Sequence, residues 1–363
     1  MRPPFFVAVD GGARRGHLRP ASIIQEPALT LTVPAEWARH DAMWLGFPSH
    51  AELWEDDLEA AQSEVAALAR ALAGPGAERV RLMTGHPDGE AAARRMLGDV
   101  AGIEIVPGAF GDIWLRDTGP IFGLGADGPQ AQGFRFNGWG GKYDLPHDDT
   151  VAAQIAAAAG VRLVQNDFIL EGGAVDHDGE GTVLTTGQCV LNPNRNPGWT
   201  EAEAEAAFAA SLGAKKVLWL GDGLQNDHTD GHVDNLARFV APGVVVCPVA
   251  WGRGDPNAEA YDDAARRLGG MTDAAGRKLT VVRIPSPGWV EGPDGGAIPA
   301  SHMNFLIANA AVIVPIYEDR PGQFAVQALE TLFPDRKVIG LPSLAILTGG
   351  GSFHCITQQE PAR

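Results

Sequence analysis

The chain has 363 residues, 45% hydrophobic and 20% charged, which is enough apolar side chain for one large core or two smaller ones. Its formal net charge of −17 argues against nucleic acid and anionic membrane as partners, because both demand a cationic surface, and it suits a small cationic substrate. Three scattered cysteines (Cys189, Cys247 and Cys355) make neither a disulfide framework nor a CxxC zinc pair, and no apolar run is long enough to span a bilayer.

Residues 1–30 carry Arg2, Arg14, Arg15 and Arg19 and one apolar stretch, residues 5–9, too short for a signal-peptide core. They read as a loosely ordered extension ahead of one catalytic domain covering residues 31–363, with the cytoplasm as the default location. A helix is expected over about 54–72, where Leu58, Ala61, Val65, Leu68 and Leu72 alternate steps of three and four and so share a face. Gly74-Pro75-Gly76 ends it, and residues 80–83 read as a buried strand.

The same order recurs down the chain: helix 88–97 before strand 103–106, 149–159 before 161–164, and 200–212, with Thr200 as N-cap, before 216–220. Two more units follow, 257–268 before 279–284 and 322–333 before 337–340. Residues 244–249 read as a further strand, and 305–307 with 312–316 as a hairpin turning at Asn309. The pattern is α/β, a series of strand-and-helix modules without a long linker. No Gly-x-Gly-x-x-Gly opens a helix after an early strand, so a dinucleotide-binding fingerprint is absent.

Four loop segments hold the residues fit for chemistry: 112–120, 171–173, 227–235 and 349–355. Gly349, Gly350 and Gly351 precede His354 and Cys355, a setting that suits a thiol presented at a crowded pocket and equally a buried structural cysteine after a turn. Cys189 and Cys247 lie among apolar residues and read as structural. His232 and Asp234 are two apart in what reads as a strand leading to Leu236 and Phe239, which would place both on one face. His228 and His232 also stand in an His-x-x-x-His relation, but Thr229, Asp230 and Gly231 make a poor helix for a zinc pair. Trp114 and Asp117 together suit a planar cation, the ring stacking on it and the carboxylate accepting its N–H bonds; the alternative is an Arg116–Asp117 ion pair with Trp114 in the core. Glu171 either serves the site or simply ends a strand. Taken together, one thiol, one histidine and three carboxylates suit covalent attack on a cationic carbon such as a guanidinium.

These residues lie in ordered stretches that resemble the agmatine deiminases, within the guanidine-modifying (pentein) superfamily that includes bacterial peptidylarginine deiminases. The matching stretches are 34–37, 114–120, 134–143, 171–173, 191–196, 229–235, 349–351 and 354–359. The resemblance implies a five-bladed α/β propeller of ββαβ-like modules around a central pocket, a homodimer and no cofactor or metal. It implies Cys355 as nucleophile, His232 as general acid/base, Asp117 and Asp234 as guanidinium holders and Glu171 as the remaining carboxylate, acting on agmatine to give N-carbamoylputrescine and ammonia. Trp114 and Trp139 are the candidates for covering the substrate's alkyl chain.

Where the family commonly has Asp, Tyr, Arg and Asn-Ile, this chain has His228, His302, Leu344 and Ser352-Phe353. Those differences bear on the substrate's far end and leave other guanidino-amines, arginine and peptidyl-arginine open as alternatives. A metal-dependent amidohydrolase built on His228, His232 and Asp234, and a non-catalytic binder of guanidines or polyamines, are the rival classes.

Overall fold

In the computed structural model the described residues are 31–292 and 295–362, so the reading of residues 1–30 as an extension lies outside them. The apolar periodicity of the first helix is realised in Leu58–Ala73, where Ala61, Val65, Leu68 and Leu72 are fully buried. Burying side chains of this size contributes about 1.5–3 kcal/mol each. The helix starts four residues later than its pattern suggests. Glu55 takes a φ of 46° and breaks the chain, leaving Ala51–Trp54 as a separate turn that carries Trp54 elsewhere.

Strand β1 (His40–Phe47) lies parallel to β2 (Val80–Thr84), and β2 lies parallel to β3 (Ile103–Pro107). In the next unit β4 (Ile121–Gly125) is antiparallel to β5 (Gly128–Arg135), which is parallel to β6 (Arg162–Ile169). The unit of β7 (Val175–His177), β8 (Thr182–Thr186) and β9 (Lys216–Leu220) repeats that order. So does that of β10 (Arg238–Ala241), β11 (Val244–Val249) and β12 (Thr280–Pro285). The last is β13 (Leu306–Ile307), β14 (Ala311–Ile316) and β15 (Lys337–Pro342), where the expected hairpin is present. Finally β16 (Thr357–Pro361) returns antiparallel to β1, making one four-stranded sheet beside four three-stranded ones.

Each module therefore pairs a strand antiparallel to one neighbour and parallel to the other. A parallel pair cannot be joined by a tight turn, so each needs a crossover helix. Leu58–Ala73, Val151–Ala159, Glu201–Leu212, Ala258–Gly269 and Asp319–Leu332 supply one crossover in each module and Pro87–Leu97 a sixth between β2 and β3, which is why helix precedes strand six times in the sequence. Thr200 caps the third as expected, in a reciprocal capping box with Glu203.

The returning strand is anchored by charge. Glu360 accepts from Arg81 Nη1 at 2.9 Å and from Trp44 Nε1 at 3.3 Å, and the Arg81 guanidinium lies over the Trp44 ring. Among the described residues, no helix is long and apolar enough to cross a membrane.

Candidate active site

Every connection between modules delivers at least one polar group to a common centre. Asp117 sits between β3 and β4, Glu171 and Gly173 between β6 and β7, His232 and Asp234 between β9 and β10, Asn304 between β12 and β13, and Cys355 between β15 and β16. The five connections are far apart in sequence and meet in space.

His232 and Asp234 are not on a strand. Asp230 and Gly231 take φ of 62° and 84°, which breaks extended backbone, and Val233–Asn235 forms a single 3₁₀ turn before β10 begins at Arg238. Both side chains are nonetheless fully buried at the centre.

Cys355 is 5% exposed and lines a cavity. Its Sγ accepts from Asn304 Nδ2 at 3.0 Å and lies 3.7 Å from Asp234 Oδ2. The same Asn304 accepts from the Cys355 backbone N–H through Oδ1 at 3.2 Å, so one amide holds both ends of the cysteine. Burial pushes the thiol pKa well up, and the charges of Asp234 and Asp117 push it further. A Cβ on Gly351 would stand 2.7 Å from the Trp114 ring and 3.2 Å from Sγ. That close approach is the physical need for the last glycine of the run.

Asp117 accepts from Trp139 Nε1 at 2.9 Å through Oδ2 and from the Gly173 N–H at 3.0 Å through Oδ1. It makes no ion pair with Arg116, which turns away to Gln358 and Gln359. Burial, then the neighbouring Asp234 charge, hold the Asp117 pKa well above the carboxylate range. Glu171 is paired at 2.7 Å with Arg195 Nε, yet burial still raises its pKa. Burial opposes ionisation of Asp234 too, but a 2.8 Å hydrogen bond with His354 Nδ1 and nearby positive charge outweigh it and hold its pKa low. Burial drives the His232 imidazole down to a pKa of about 3, against the pull of Asp234.

Three buried atoms here lack any hydrogen-bond partner: both ring nitrogens of His232 and Oδ1 of Asp234. His232 and Asp234 pack closely around Gly173, which leaves no room for a side chain there. A Cβ built on that residue would lie 2.6 Å from His232 Nδ1, 2.9 Å from Asp117 Oδ1 and 3.1 Å from Asp234 Oδ2. Orphaned polar atoms cost free energy when buried, so they mark where a ligand's donors and charge belong. The arrangement fits a flat cation with N–H groups on both edges.

Several contributors were not foreseen. Asn304, Arg195, Glu36 and Arg238 gave no local signal of a role, because their partners are distant in sequence. His354 Nε2 reaches Glu36 at 3.1 Å, Glu36 pairs with Arg238, and Arg238 Nε pairs with Asp176 at 3.1 Å. This buried chain of charges fixes His354, and through it the orientation of Asp234.

The cavity above the centre has a volume of about 260 Å³. Trp114, Trp139, Trp54 and Tyr143 line it, so the two expected tryptophans do face it. Asp112 pins two of these rings, accepting from Trp114 Nε1 at 2.6 Å and Trp54 Nε1 at 3.0 Å, and burial raises its own pKa to about 7. Of the four departures from the family pattern, His228 alone lines the cavity, bonded to the Tyr143 hydroxyl at 2.7 Å. His302 is buried against Tyr317, Ser352 bonds Ser343, and Leu344 is exposed. The rival metal triad is not assembled. Among the described residues the one group of His, Cys and carboxylate donors within mutual reach is Glu171, Cys189 and His232, without His228 or Asp234.

A buried thiol beside two carboxylates has a testable signature. A neutral alkylating agent should modify Cys355 slowly at pH 7, whereas an amidinium-bearing agent of the same intrinsic reactivity should modify it at least about tenfold faster. Peptide mass spectrometry over time reads both rates; equal rates would mean that cation binding does nothing for the thiolate.

A family model for the Porphyromonas-type peptidyl-arginine deiminases matches residues 32–361. The agmatine deiminase of Pseudomonas aeruginosa is 38% identical over 354 residues, covering 91% of this chain and 95% of that one. The solved agmatine deiminase of Enterococcus faecalis superposes with a TM-score of 0.86 at 34% identity, over 92% of this chain and 96% of that one. A C. jejuni agmatine deiminase, solved as a cysteine-to-serine variant with substrate bound, gives 0.83 at 26% identity over 92% and 96%. The family match spans all five modules, and the chain belongs to the Porphyromonas-type peptidyl-arginine deiminase family and, within it, to the agmatine deiminases.

Proposed function

We propose that this chain hydrolyses agmatine to N-carbamoylputrescine and ammonia, with Cys355 as the nucleophile. The observation that carries the reading is the cluster of Cys355, Asp234, Asp117 and His232 at the foot of the cavity, where both His232 ring nitrogens and Asp234 Oδ1 have no hydrogen-bond partner. A guanidinium supplies what those atoms lack: five N–H donors in a plane and one positive charge.

Asp117 and Asp234 hold the cation, and Glu171, steadied by Arg195, completes the carboxylate set. Before substrate binds, both the Cys355 thiol and the His232 imidazole are neutral. The cation between the carboxylates cancels the charge that opposes ionisation, and the thiol proton passes to His232. The Cys355 thiolate then bonds to the guanidinium carbon, giving a neutral tetrahedral adduct. Imidazolium protonates one amino group, the C–N bond breaks, and ammonia leaves an S-alkylthiouronium cation. Water adds next as His232 takes its proton, and collapse of the second adduct expels the Cys355 thiolate and frees the urea product. Acid–base help from His232 supplies about 10²–10⁴-fold, and placement of charge and reactants supplies the rest.

The cavity also bears on substrate choice. It is narrow, ring-walled and edged by the Asp57 carboxylate, which attracts agmatine's distal ammonium and repels the α-carboxylate of arginine. Ammonia release measured across agmatine, arginine and an arginine-containing peptide should favour agmatine by at least about tenfold in kcat/KM. Equal or better turnover of the peptide would replace this substrate assignment with the peptidyl one.

A further inference from the structure

We propose that Glu171, Cys189 and His232 form a binding site for a zinc-class divalent cation, and that its occupation inhibits the enzyme. The inhibitory half rests on the role given above to His232 and Glu171; the binding half does not. Cys189 has no part in the reaction as derived, yet it is one of the most deeply placed thiols in the molecule and sits against the catalytic imidazole.

The geometry is specific. One carboxylate oxygen of Glu171, the Cys189 sulfur and one His232 ring nitrogen all lie within 4.8 Å of one another, and all three residues are buried. Tetrahedral zinc with bonds of about 2.0–2.3 Å separates neighbouring ligand atoms by roughly 3.4–3.8 Å, so small side-chain rotations close the set. Thiolate, imidazole and carboxylate together are the donors of a borderline-soft ion rather than of magnesium or calcium.

A second observation points the same way. Neither ring nitrogen of His232 has a partner, although the residue is fully buried. The Glu171–Arg195 ion pair occupies Oε1. Cys189 is held in place by its local turn, Gly187–Val190. Thr186 caps that turn through the Cys189 N–H, and the same Thr186 hydroxyl donates to Gly231 O at 2.6 Å, tying the turn to the segment that carries His232.

The cavity stops one side chain short of the site. Asp117 lines it and stands 3.7 Å from His232 Nδ1, so one side chain separates the cavity from the imidazole. The acidic walls that draw a guanidinium would draw a metal cation too. Binding replaces the thiol proton of Cys189 with the metal and releases that proton to solvent. With a lone pair of His232 committed to the ion, the imidazole no longer relays protons to leaving ammonia or from water. This site is distinct from the His228–His232–Asp234 set of an amidohydrolase, which the fold does not bring together.

Cobalt(II) is the spectroscopic probe, titrated into the Cys355→Ser protein so that the nucleophile contributes no signal. The expected result is one equivalent bound with a thiolate-to-cobalt charge-transfer band, which is lost when Cys189→Ser is added. Zinc should inhibit ammonia release by the unaltered enzyme, and Cys189→Ser should raise the half-inhibitory concentration at least about tenfold, the scale on which even indirect supports of a metal affect affinity. Cys189→Ala is the second variant should a buried serine not be tolerated. A missing thiolate band, a band that survives loss of Cys189, or zinc inhibition indifferent to Cys189 would each overturn the proposal. The cobalt spectrum requires no turnover, so failure of the deiminase reading leaves that test intact.

Discussion

Cys355→Ser is expected to lower kcat for agmatine by about 10⁴-fold or more, the scale seen when a covalent nucleophile is removed. Serine keeps the Asn304 contacts and the shape of the loop, so the loss isolates sulfur chemistry. A hydroxyl ionises far less readily than a thiol, and the surroundings here already oppose ionisation through burial and two carboxylates. Agmatine binding should survive, because Asp117 and Asp234 are untouched. Calorimetry on the variant should therefore report a dissociation constant near that of the parent, alongside a lost ammonia signal. Turnover within about a hundredfold of the parent would mean that His232 activates water directly and that no covalent step is needed.

Gly173→Ala should also be damaging, although it adds a single methyl. Gly173 is not among the residues with positive φ, so alanine imposes no backbone strain there. The damage is one of occupancy: the new carbon would lie closer than 3 Å to both His232 Nδ1 and Asp117 Oδ1. To relieve that overlap the imidazole or the carboxylate must move by most of an ångström, and misplacement on that scale costs about 10²-fold in rate. We expect kcat/KM to fall by at least that factor while the thermal midpoint changes little. A variant that keeps its full kcat/KM would show that the placement of His232 and Asp117 against Gly173 does not matter to the reaction.

The sequence disclosed most about the elements whose physics is local. Leu58 to Leu72 spells a helix because burial on one face needs only helical periodicity, and Thr200 with Glu203 marks a helix start because both partners of the cap lie within one turn. The parallel strands β11 and β9 were legible as short apolar runs between breakers. Residues 232–234 misled for a physical reason: Asp230 and Gly231 adopt left-handed backbone that no alternation pattern reports. Asp117, Glu171, His232, Asp234 and Cys355 do converge, as the family resemblance implied. Their supports were invisible because they act across long separations. Asn304 holds a cysteine 51 residues away, and Glu36 meets His354 across 318 residues. Arg195 stood in a matching stretch without showing what it does; only the fold reveals that it braces Glu171.

The return of β16 to β1 also sets the order in which a growing chain acquires its parts. Asp117, Glu171, His232 and Asp234 leave the ribosome first, and Cys355 follows Asp117 by roughly 240 residues, on the order of ten to fifty seconds at ordinary elongation rates. The thiol then has no fixed place until Thr357–Pro361 emerges and docks against His40–Phe47. Nascent protein therefore carries a complete set of carboxylates and no reagent to go with them. A chain cut short before His354 would lack both the nucleophile and the imidazole that holds Asp234 in place.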